Sequence, residues 1–105
     1  MPINMKDITV EELKIKFDTK EDLILLDVRE PVEHQSFNLG GTLIPLGNLI
    51  NQMDDFEELK EKEVIVYCRS GKRSATAKSF MVEKGFKNVR NLEGGVLDWI
   101  SKGLS

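Results

Sequence analysis

The single cysteine of the 105-residue sequence, Cys68, is followed by a polar and basic segment that reads Arg-Ser-Gly-Lys-Arg-Ser over residues 69–74. Four basic residues and no acidic residue occur from position 68 to position 82, although the formal net charge of the whole chain is −3. Positive charge close to a thiol stabilises the thiolate and lowers the pKa of the cysteine. The segment therefore favours a reactive cysteine over the buried, inert thiol that is usual for a lone cysteine.

The elements on either side of Cys68 strengthen this interpretation. Residues 64–68 form an apolar run rich in β-formers, which is typical of a strand covered on both faces. Residues 72–84 carry apolar side chains at helical spacing. A short loop between a strand and a helix N-terminus turns backbone N–H groups toward a bound anion, and Gly71 permits the tight bend. We therefore expect the amides of residues 69–74 to surround the Cys68 sulfur and to stabilise a thiolate or a persulfide.

Alternating strands and helices predict an α/β fold with a mainly parallel sheet. Residues 23–28 form a second strong strand candidate, and residues 42–44 and 89–92 form weaker ones. A helix over 10–18 is predicted by a capping box at Thr9 and Glu12 and by the apolar spacing after it. Further helical patterns begin at Leu46 and after Gly94-Gly95, and His34 lies in a helical segment after Pro31. In such sheets, functional groups gather at the carboxyl ends of the strands, where Cys68 is placed.

Four motifs, in this order and spacing, resemble those of the rhodanese family, and the similarity covers nearly the whole chain. They are D-V-R-E-P over 27–31, I-P-L over 44–46, C-R-S-G-K-R-S over 68–74, and L-E-G-G over 92–95 followed by Trp99. The resemblance implies a single rhodanese-like domain over residues 1–105. It also implies a five-stranded, mainly parallel sheet flanked by helices on both faces.

The activity implied by the resemblance is transfer of sulfane sulfur through a persulfide on Cys68. The donor would be thiosulfate or a persulfide, and the acceptor would be cyanide, a thiol or a protein outside the chain. No cofactor or metal is expected. The residues expected to bind the donor, through backbone amides and positive charge, are Arg69, Ser70, Gly71, Lys72, Arg73 and Ser74. Asp27 and Arg29 are expected to support the site, with the buried carboxylate held by backbone N–H groups or by Arg29.

Two other functions stay open at this point, with unequal weight. A sulfur-relay or partner-binding module would load Cys68 but turn over free thiosulfate poorly. A phosphatase or arsenate reductase is less favoured, because the C-x5-R loop of cysteine phosphatases requires an arginine where Ser74 stands. A nucleotide-binding P-loop is excluded, since Val66 and Arg73 occupy positions that require glycine and serine or threonine. Residues 37–42 also depart from the family pattern, which leaves substrate choice open.

Composition narrows the remaining classes of function. The net charge of −3 gives no reason to expect a nucleic acid or an anionic membrane as partner. One cysteine forms no intramolecular disulfide, and a lone reduced thiol fits the cytoplasm. No signal-peptide pattern or membrane-spanning run is found. His34 is expected to be exposed, and Trp99 to pack in the core. The physiological donor and acceptor and the oligomeric state are left undetermined.

Overall fold

The computed structural model describes residues 6–104, and its four strands form one parallel sheet. The strands are β1 (Leu25–Asp27), β2 (Thr42–Leu43), β3 (Glu63–Tyr67) and β4 (Asn88–Asn91). They lie in the order β2–β1–β3–β4, so β1 and β3 occupy the centre. The two strands that the sequence predicts most strongly are therefore the two central ones, as expected of strands whose side chains are covered on both faces.

The five-stranded sheet expected from the resemblance is a four-stranded sheet within the described residues. Beyond β4, Ile8 forms one isolated parallel bridge with Leu92. Its N–H donates to the carbonyl oxygen of Asn91 at 2.9 Å, and its own carbonyl accepts from the N–H of Glu93 at 2.8 Å. The pairing cannot extend along the chain after Ile8 because a helix begins at Val10. Within residues 6–104 the predicted parallel sheet flanked by helices is confirmed, with four strands in place of five.

Residues 6–104 contain five α-helices and one 3-10 helix, which precede, connect and follow the strands. They are α1 (Val10–Asp18), α2 (Pro31–Ser36), α3 (Leu46–Gln52), a 3-10 helix (Met53–Leu59), α4 (Lys72–Glu83) and α5 (Gly95–Ser101). At the start of α1, the Thr9 side chain accepts a hydrogen bond from the Glu12 N–H at 3.1 Å, as the capping pattern predicts. No helix within residues 6–104 has the length and apolar character needed to cross a membrane.

The core lies on both faces of the sheet, because side chains alternate along each strand. Val64, Val66 and Cys68 share one buried cluster with apolar side chains of α3 and α4. Ile65 and Tyr67 belong to the cluster on the other face, with side chains of α1 and α5. That second cluster includes Trp99, which is 3% exposed and packs edge-on against Phe17 with ring centroids 5.6 Å apart. The expected core position of Trp99 is confirmed.

The parallel arrangement brings three polar residues to one edge of the sheet. Asp27 ends β1, Cys68 directly follows β3, and Asn91 ends β4. All three are buried. Buried polar side chains are costly unless they are hydrogen-bonded, so their contacts show what this edge is built to do.

Candidate active site

The Cys68 sulfur lies at the centre of the loop formed by residues 68–74, called here the Cys68 loop. The residue is 1% exposed, and its Sγ accepts hydrogen bonds from the N–H groups of Gly71 at 3.1 Å and Ser74 at 3.4 Å. The Ser74 hydroxyl also lies within hydrogen-bond distance of Sγ, at 3.3 Å. Donors thus converge on one sulfur atom from the loop and from the first turn of α4, which is an arrangement suited to an anionic sulfur.

Two glycines allow the backbone to close around this sulfur. Gly71, the residue before α4, has a φ of 99°, a left-handed conformation that glycine adopts without steric cost. Gly95 begins α5 behind the loop, and a Cβ atom there would stand 2.5 Å from the carbonyl oxygens of Cys68 and Arg69. The start of α5 also holds these two carbonyls, through the N–H groups of Val96 at 3.0 Å and Leu97 at 2.9 Å. The L-E-G-G motif therefore acts as the support of the Cys68 loop.

The pKa of the Cys68 thiol reflects two opposing effects. Burial raises the pKa, since a charged sulfur loses its hydration. Hydrogen bonds from the Ser74 hydroxyl and from the backbone of Ser74, Gly71 and Ser70 lower it. The hydrogen bonds prevail, so the pKa lies below the ordinary thiol value. A lowered thiol pKa increases the fraction of thiolate, which is the nucleophilic form of cysteine.

The three cations of the Cys68 loop do not behave alike. Arg69 and Lys72 are exposed, so their charges face solvent near the loop. Arg73 instead makes a two-pronged ion pair with Glu33 of α2, with nitrogen–oxygen distances of 2.7 and 2.8 Å. Its charge acts on Cys68 but is largely matched by this carboxylate. Among the three cations, Arg69 and Lys72 are thus the ones whose charge is open to solvent beside the loop.

A second buried polar group, called here the Asp27 cluster, consists of Asp27, Arg29 and His34. Asp27 Oδ1 accepts from the Arg29 N–H at 3.1 Å and from Nε at 2.9 Å, and Arg29 Nη2 donates to Oδ2 at 2.8 Å. The pairing of Asp27 with Arg29 is therefore present as expected. Burial raises the pKa of Asp27, but hydrogen bonds from Arg29 and His34 outweigh it and hold the pKa below the ordinary value.

His34 is not the exposed residue that the sequence suggested. Its Nδ1 lies 2.8 Å from Asp27 Oδ2, and its side chain is 23% exposed. His34 lies in the first turn of α2, which begins at Pro31, a residue favoured at the first helical position, and this turn places the imidazole beside the end of β1. A buried aspartate at a strand end requires several donors, and this requirement was the available signal that the sequence interpretation did not use.

The segment that departs from the family pattern is held by Tyr67, at the end of β3, and by Arg29, which follows β1. The Tyr67 hydroxyl donates to the carbonyl of Gly40 at 2.8 Å and accepts from the N–H of Leu39 at 3.1 Å. Burial raises the pKa of Tyr67 to about 12, so the hydroxyl keeps its proton. Arg29 Nη2 also donates to the carbonyl of Phe37 at 2.6 Å. Asn38 donates to the carbonyl of His34 and accepts from the N–H of Gly40, and these contacts together fix the segment next to the site.

A groove of about 370 Å³ lies beside the start of the Cys68 loop. Its charged lining residues are Arg69, Arg29, which is paired with Asp27, and Glu33, which is paired with Arg73. Its apolar walls come from Val32, Phe37 and neighbouring side chains of α5, and several of them are well exposed. The groove is larger and more apolar than a small inorganic anion requires, which suits a substrate with an organic or protein portion.

One buried side chain at this edge was missed by the sequence interpretation. Asn91 is 7% exposed, and its Nδ2 donates to the carbonyl of Gly71 at 3.0 Å. Its Oδ1 lies within hydrogen-bond distance of the Ser74 hydroxyl. Asparagine at the end of a strand is common in turns, so the sequence offered no specific signal for this contact.

Comparison with known proteins gives one consistent family. Residues 9–102 match the family model of the rhodanese-like domain. The chain is 36% identical over 100 residues to the putative sulfur carrier protein YrkF of Bacillus subtilis, a match that covers 94% of this chain and 53% of that protein. The chain therefore spans about half the length of that relative.

Two further comparisons cover nearly the full length of both proteins. A sulfurtransferase of Allochromatium vinosum is 32% identical over 101 residues, covering 95% of this chain and 92% of that protein. The crystal structure of a rhodanese-related protein from Thermoplasma volcanium superimposes with a TM-score of 0.80 at 29% identity, covering 95% of each chain. The parallel sheet and its helical layers are thus those of solved structures similar to this chain.

Proposed function

This chain belongs to the rhodanese-like domain family, and from that premise we propose that it transfers sulfane sulfur as a persulfide on Cys68. Relatives named as a sulfurtransferase and as a sulfur carrier support sulfur transfer in general. The observation that carries the proposal is the convergence of two N–H groups and one hydroxyl on the Cys68 sulfur. Such a set of donors stabilises negative charge on sulfur without a metal.

Loading would proceed by nucleophilic attack of the Cys68 thiolate on the outer sulfur of a donor. With thiosulfate, a new S–S bond forms to Cys68 while the S–S bond of thiosulfate breaks, and sulfite leaves with the electron pair. With a persulfide donor, the donor's thiolate leaves in the same way. The exposed cations Arg69 and Lys72 would attract either anion toward the loop.

Discharge would be the same displacement in the opposite sense. Cyanide or an acceptor thiolate attacks the terminal sulfur of the persulfide, and Cys68 leaves as the thiolate that its loop stabilises. The sequence contains one cysteine, so the persulfide cannot be resolved as a disulfide within these residues. An external small molecule or protein has to accept the sulfur, and the apolar groove beside Arg69 offers room for its non-reacting part.

A sulfur-relay module is the second candidate, and the exposed apolar groove beside the Cys68 loop favours it. A partner protein could pack against Val32, Phe37 and the other apolar side chains of this groove, whereas thiosulfate has no apolar part to bind there. The relative named as a putative sulfur carrier fits the same interpretation. We also propose that residues 1–105 form one domain of this family and that the protein acts in the cytoplasm, where a lone thiol stays reduced.

The mass of the intact reduced protein, before and after incubation with thiosulfate, tests the proposed function. Wild-type protein should gain the mass of one sulfur atom and lose it again on addition of cyanide. The Cys68→Ser variant should gain nothing, because a serine hydroxyl is too weak a nucleophile to open the donor's S–S bond. Full transfer activity in Cys68→Ser would overturn the proposal. Loading by a protein persulfide but not by thiosulfate would select the relay module.

A further inference from the structure

Asn91 touches the Cys68 loop at two points while remaining outside it. Its Nδ2 donates to the Gly71 carbonyl at 3.0 Å, and its Oδ1 faces the Ser74 hydroxyl. Its backbone N–H donates to Asp7 Oδ1 at 3.1 Å, which fixes the end of β4. The two loop residues that it contacts, Gly71 and Ser74, are the same two whose N–H groups donate to the Cys68 sulfur. A buried amide is therefore anchored between the donors of the site.

The orientation of this amide determines what it can do. The Gly71 carbonyl is an acceptor only, so the atom of Asn91 that faces it has to be the donor nitrogen. The other end is then Oδ1, which accepts but cannot donate. In the hydrogen bond between these two groups, the Ser74 hydroxyl is therefore the donor and Asn91 Oδ1 the acceptor.

The Ser74 hydroxyl has one proton and two possible acceptors. Its oxygen is 3.3 Å from Cys68 Sγ, and the Asn91 oxygen lies on its other side. When the proton points to Asn91, a lone pair of Ser74 faces the sulfur, which suits a protonated thiol that donates S–H. When the proton points to the sulfur, the thiolate gains a donor and the Asn91 oxygen loses one. The two acceptors compete for this single proton.

We propose that Asn91 is a positioning residue that opposes ionisation of Cys68 by competing with its sulfur for the Ser74 proton. The inference rests on the proposed function, because it concerns the thiolate that carries the sulfur. In the loaded state, Sγ is part of an S–S bond and Ser74 donates to Asn91. When Cys68 leaves as a thiolate, the hydroxyl turns toward Sγ. The proton stays on Ser74 throughout, so only a rotation accompanies the transfer.

Charged groups near the sulfur also affect the ionisation of Cys68, independently of the Ser74 proton. Arg73 acts on Cys68 and is paired with Glu33. Arg69 and Lys72 are exposed on the loop. Behind Asn91, Asp7 forms an ion pair with Lys78 of α4 at 2.7 Å. None of these groups changes when Asn91 or Ser74 is substituted, so differences between such variants report the hydroxyl proton.

The test is a pH titration of the thiolate absorbance of the reduced, unloaded protein. Asn91→Ala removes the competitor, so the ratio of thiolate to thiol at a given pH should rise about two- to tenfold, the effect of one net hydrogen bond. The Gly71 carbonyl keeps its helical bond from the Ala75 N–H at 3.1 Å, which holds the loop in this variant. Asn91→Asp should act in the opposite direction, because a carboxylate holds the Ser74 proton more strongly and repels the thiolate.

Two further variants isolate the route through Ser74. In a Ser74→Ala background, adding Asn91→Ala should leave the titration midpoint where Ser74→Ala alone places it. Asn88→Ala removes another asparagine amide at the opposite end of β4, where its Oδ1 has no partner among the described residues, and should leave the midpoint unchanged. Circular dichroism checks folding, and Asn91→Ser replaces Asn91→Ala if the alanine variant does not fold.

The proposal is overturned by three outcomes. One is an unchanged titration midpoint in Asn91→Ala. Another is a rise of the midpoint pH in both Asn91→Ala and Asn91→Asp, which would show that the residue only holds the loop. The third is an effect of Asn91→Ala that persists without the Ser74 hydroxyl. Because the titration needs no sulfur donor, it is independent of the mass experiment above. A protein that fails to form a persulfide yet shows the expected shifts would overturn the proposed function alone.

Discussion

Asp27 and Cys68 stand at the carboxyl ends of neighbouring parallel strands, and both are buried polar groups. Asp27 is met by the side chains of Arg29 and His34 in three contacts of 2.8–2.9 Å, and the backbone N–H of Arg29 adds a fourth at 3.1 Å. Cys68 is met by neutral N–H and hydroxyl dipoles at 3.1–3.4 Å. The same edge of the sheet thus stabilises two buried groups that can be negatively charged in two different ways, one mainly with ionisable side chains and the other with neutral dipoles.

The difference explains why one group suits chemistry and the other suits structure. A carboxylate matched by a buried guanidinium cannot lose its charge without leaving that cation unpaired. A sulfur held by dipoles has no dedicated counter-ion, so it can pass between thiol, thiolate and persulfide while its surroundings change little. The free-energy cost of a change in charge is therefore low for the Cys68 sulfur and high for the Asp27 carboxylate. Three substitutions test this contrast, and they follow in order of decreasing effect.

Asp27→Asn should cause the largest loss of stability. The substitution leaves the Arg29 guanidinium, which is 4% exposed, without its anionic partner. Removing one member of a buried ion pair costs about 3–5 kcal/mol, and the free energy of unfolding in urea should fall by that amount. The pKa of Asp27 is lowered in the fold, so its stabilising effect is present above the unfolded carboxyl pKa and is lost as pH falls through the folded value.

The same variant tests whether the Asp27 cluster affects the ionisation of Cys68. If the Asp27 cluster is structural, the thiolate titration of folded Asp27→Asn should match that of wild type. A large shift of the Cys68 midpoint, with stability unchanged, would show that the contrast between the two strand ends is wrong.

Gly95→Ala should have the next largest effect, and it acts on the Cys68 loop. The new methyl group would meet the carbonyl oxygens of Cys68 and Arg69 at 2.5 Å, so the loop or α5 has to move. Together with the strain of a positive φ, we expect a loss of about 2–3 kcal/mol in unfolding free energy. Because the loop positions the donors to sulfur, persulfide formation should also slow.

Gly103→Ala is the matched control for this substitution. Gly103 also has a positive φ, of 68°, but a Cβ atom there meets no atom within 4 Å. The control variant should therefore show the backbone strain, about 1 kcal/mol, with normal sulfur loading. Equal loss of loading in both variants would mean that contact with the Cys68 loop is not the cause.

Features that depend on local sequence were predictable. The central strands and the helix over 72–84 follow from apolar patterning, and the hydrogen bonds to Cys68 come largely from backbone N–H groups next to it in the chain. Such groups are present whatever the distant residues are, so the loop sequence alone indicates them. Gly71 likewise indicated that the loop closes around the Cys68 sulfur, because its left-handed conformation is a property of the loop itself.

Features that depend on distant residues were not predictable from one sequence. Arg73 was expected to face an anionic substrate, but the position of α2 places Glu33 against it. Asn91 reaches its partners only through the packing of β4 at the sheet edge. In each case the identity of the partner is set by tertiary geometry, on which periodicity and motif spacing give no information.

Glu33→Gln should have the smallest effect, because its ion pair with Arg73 is only partly buried. The Arg73 hydrogen bonds, opposed by a smaller effect of burial, lower the pKa of Glu33 from 4.5 to about 2. The pair therefore stabilises the fold above pH 4.5, and this contribution is lost as pH falls toward about 2. Because solvent screens this partly exposed pair, we expect Glu33→Gln to lower the free energy of unfolding by about 1 kcal/mol at neutral pH. Near pH 2 the substitution should cost nothing, and urea unfolding at pH values from neutral down to about 2 measures both. Glu83→Gln, an exposed substitution on α4, is the control and should leave the free energy of unfolding at neutral pH unchanged. A cost that persists near pH 2 would come from packing rather than from the charge of Glu33.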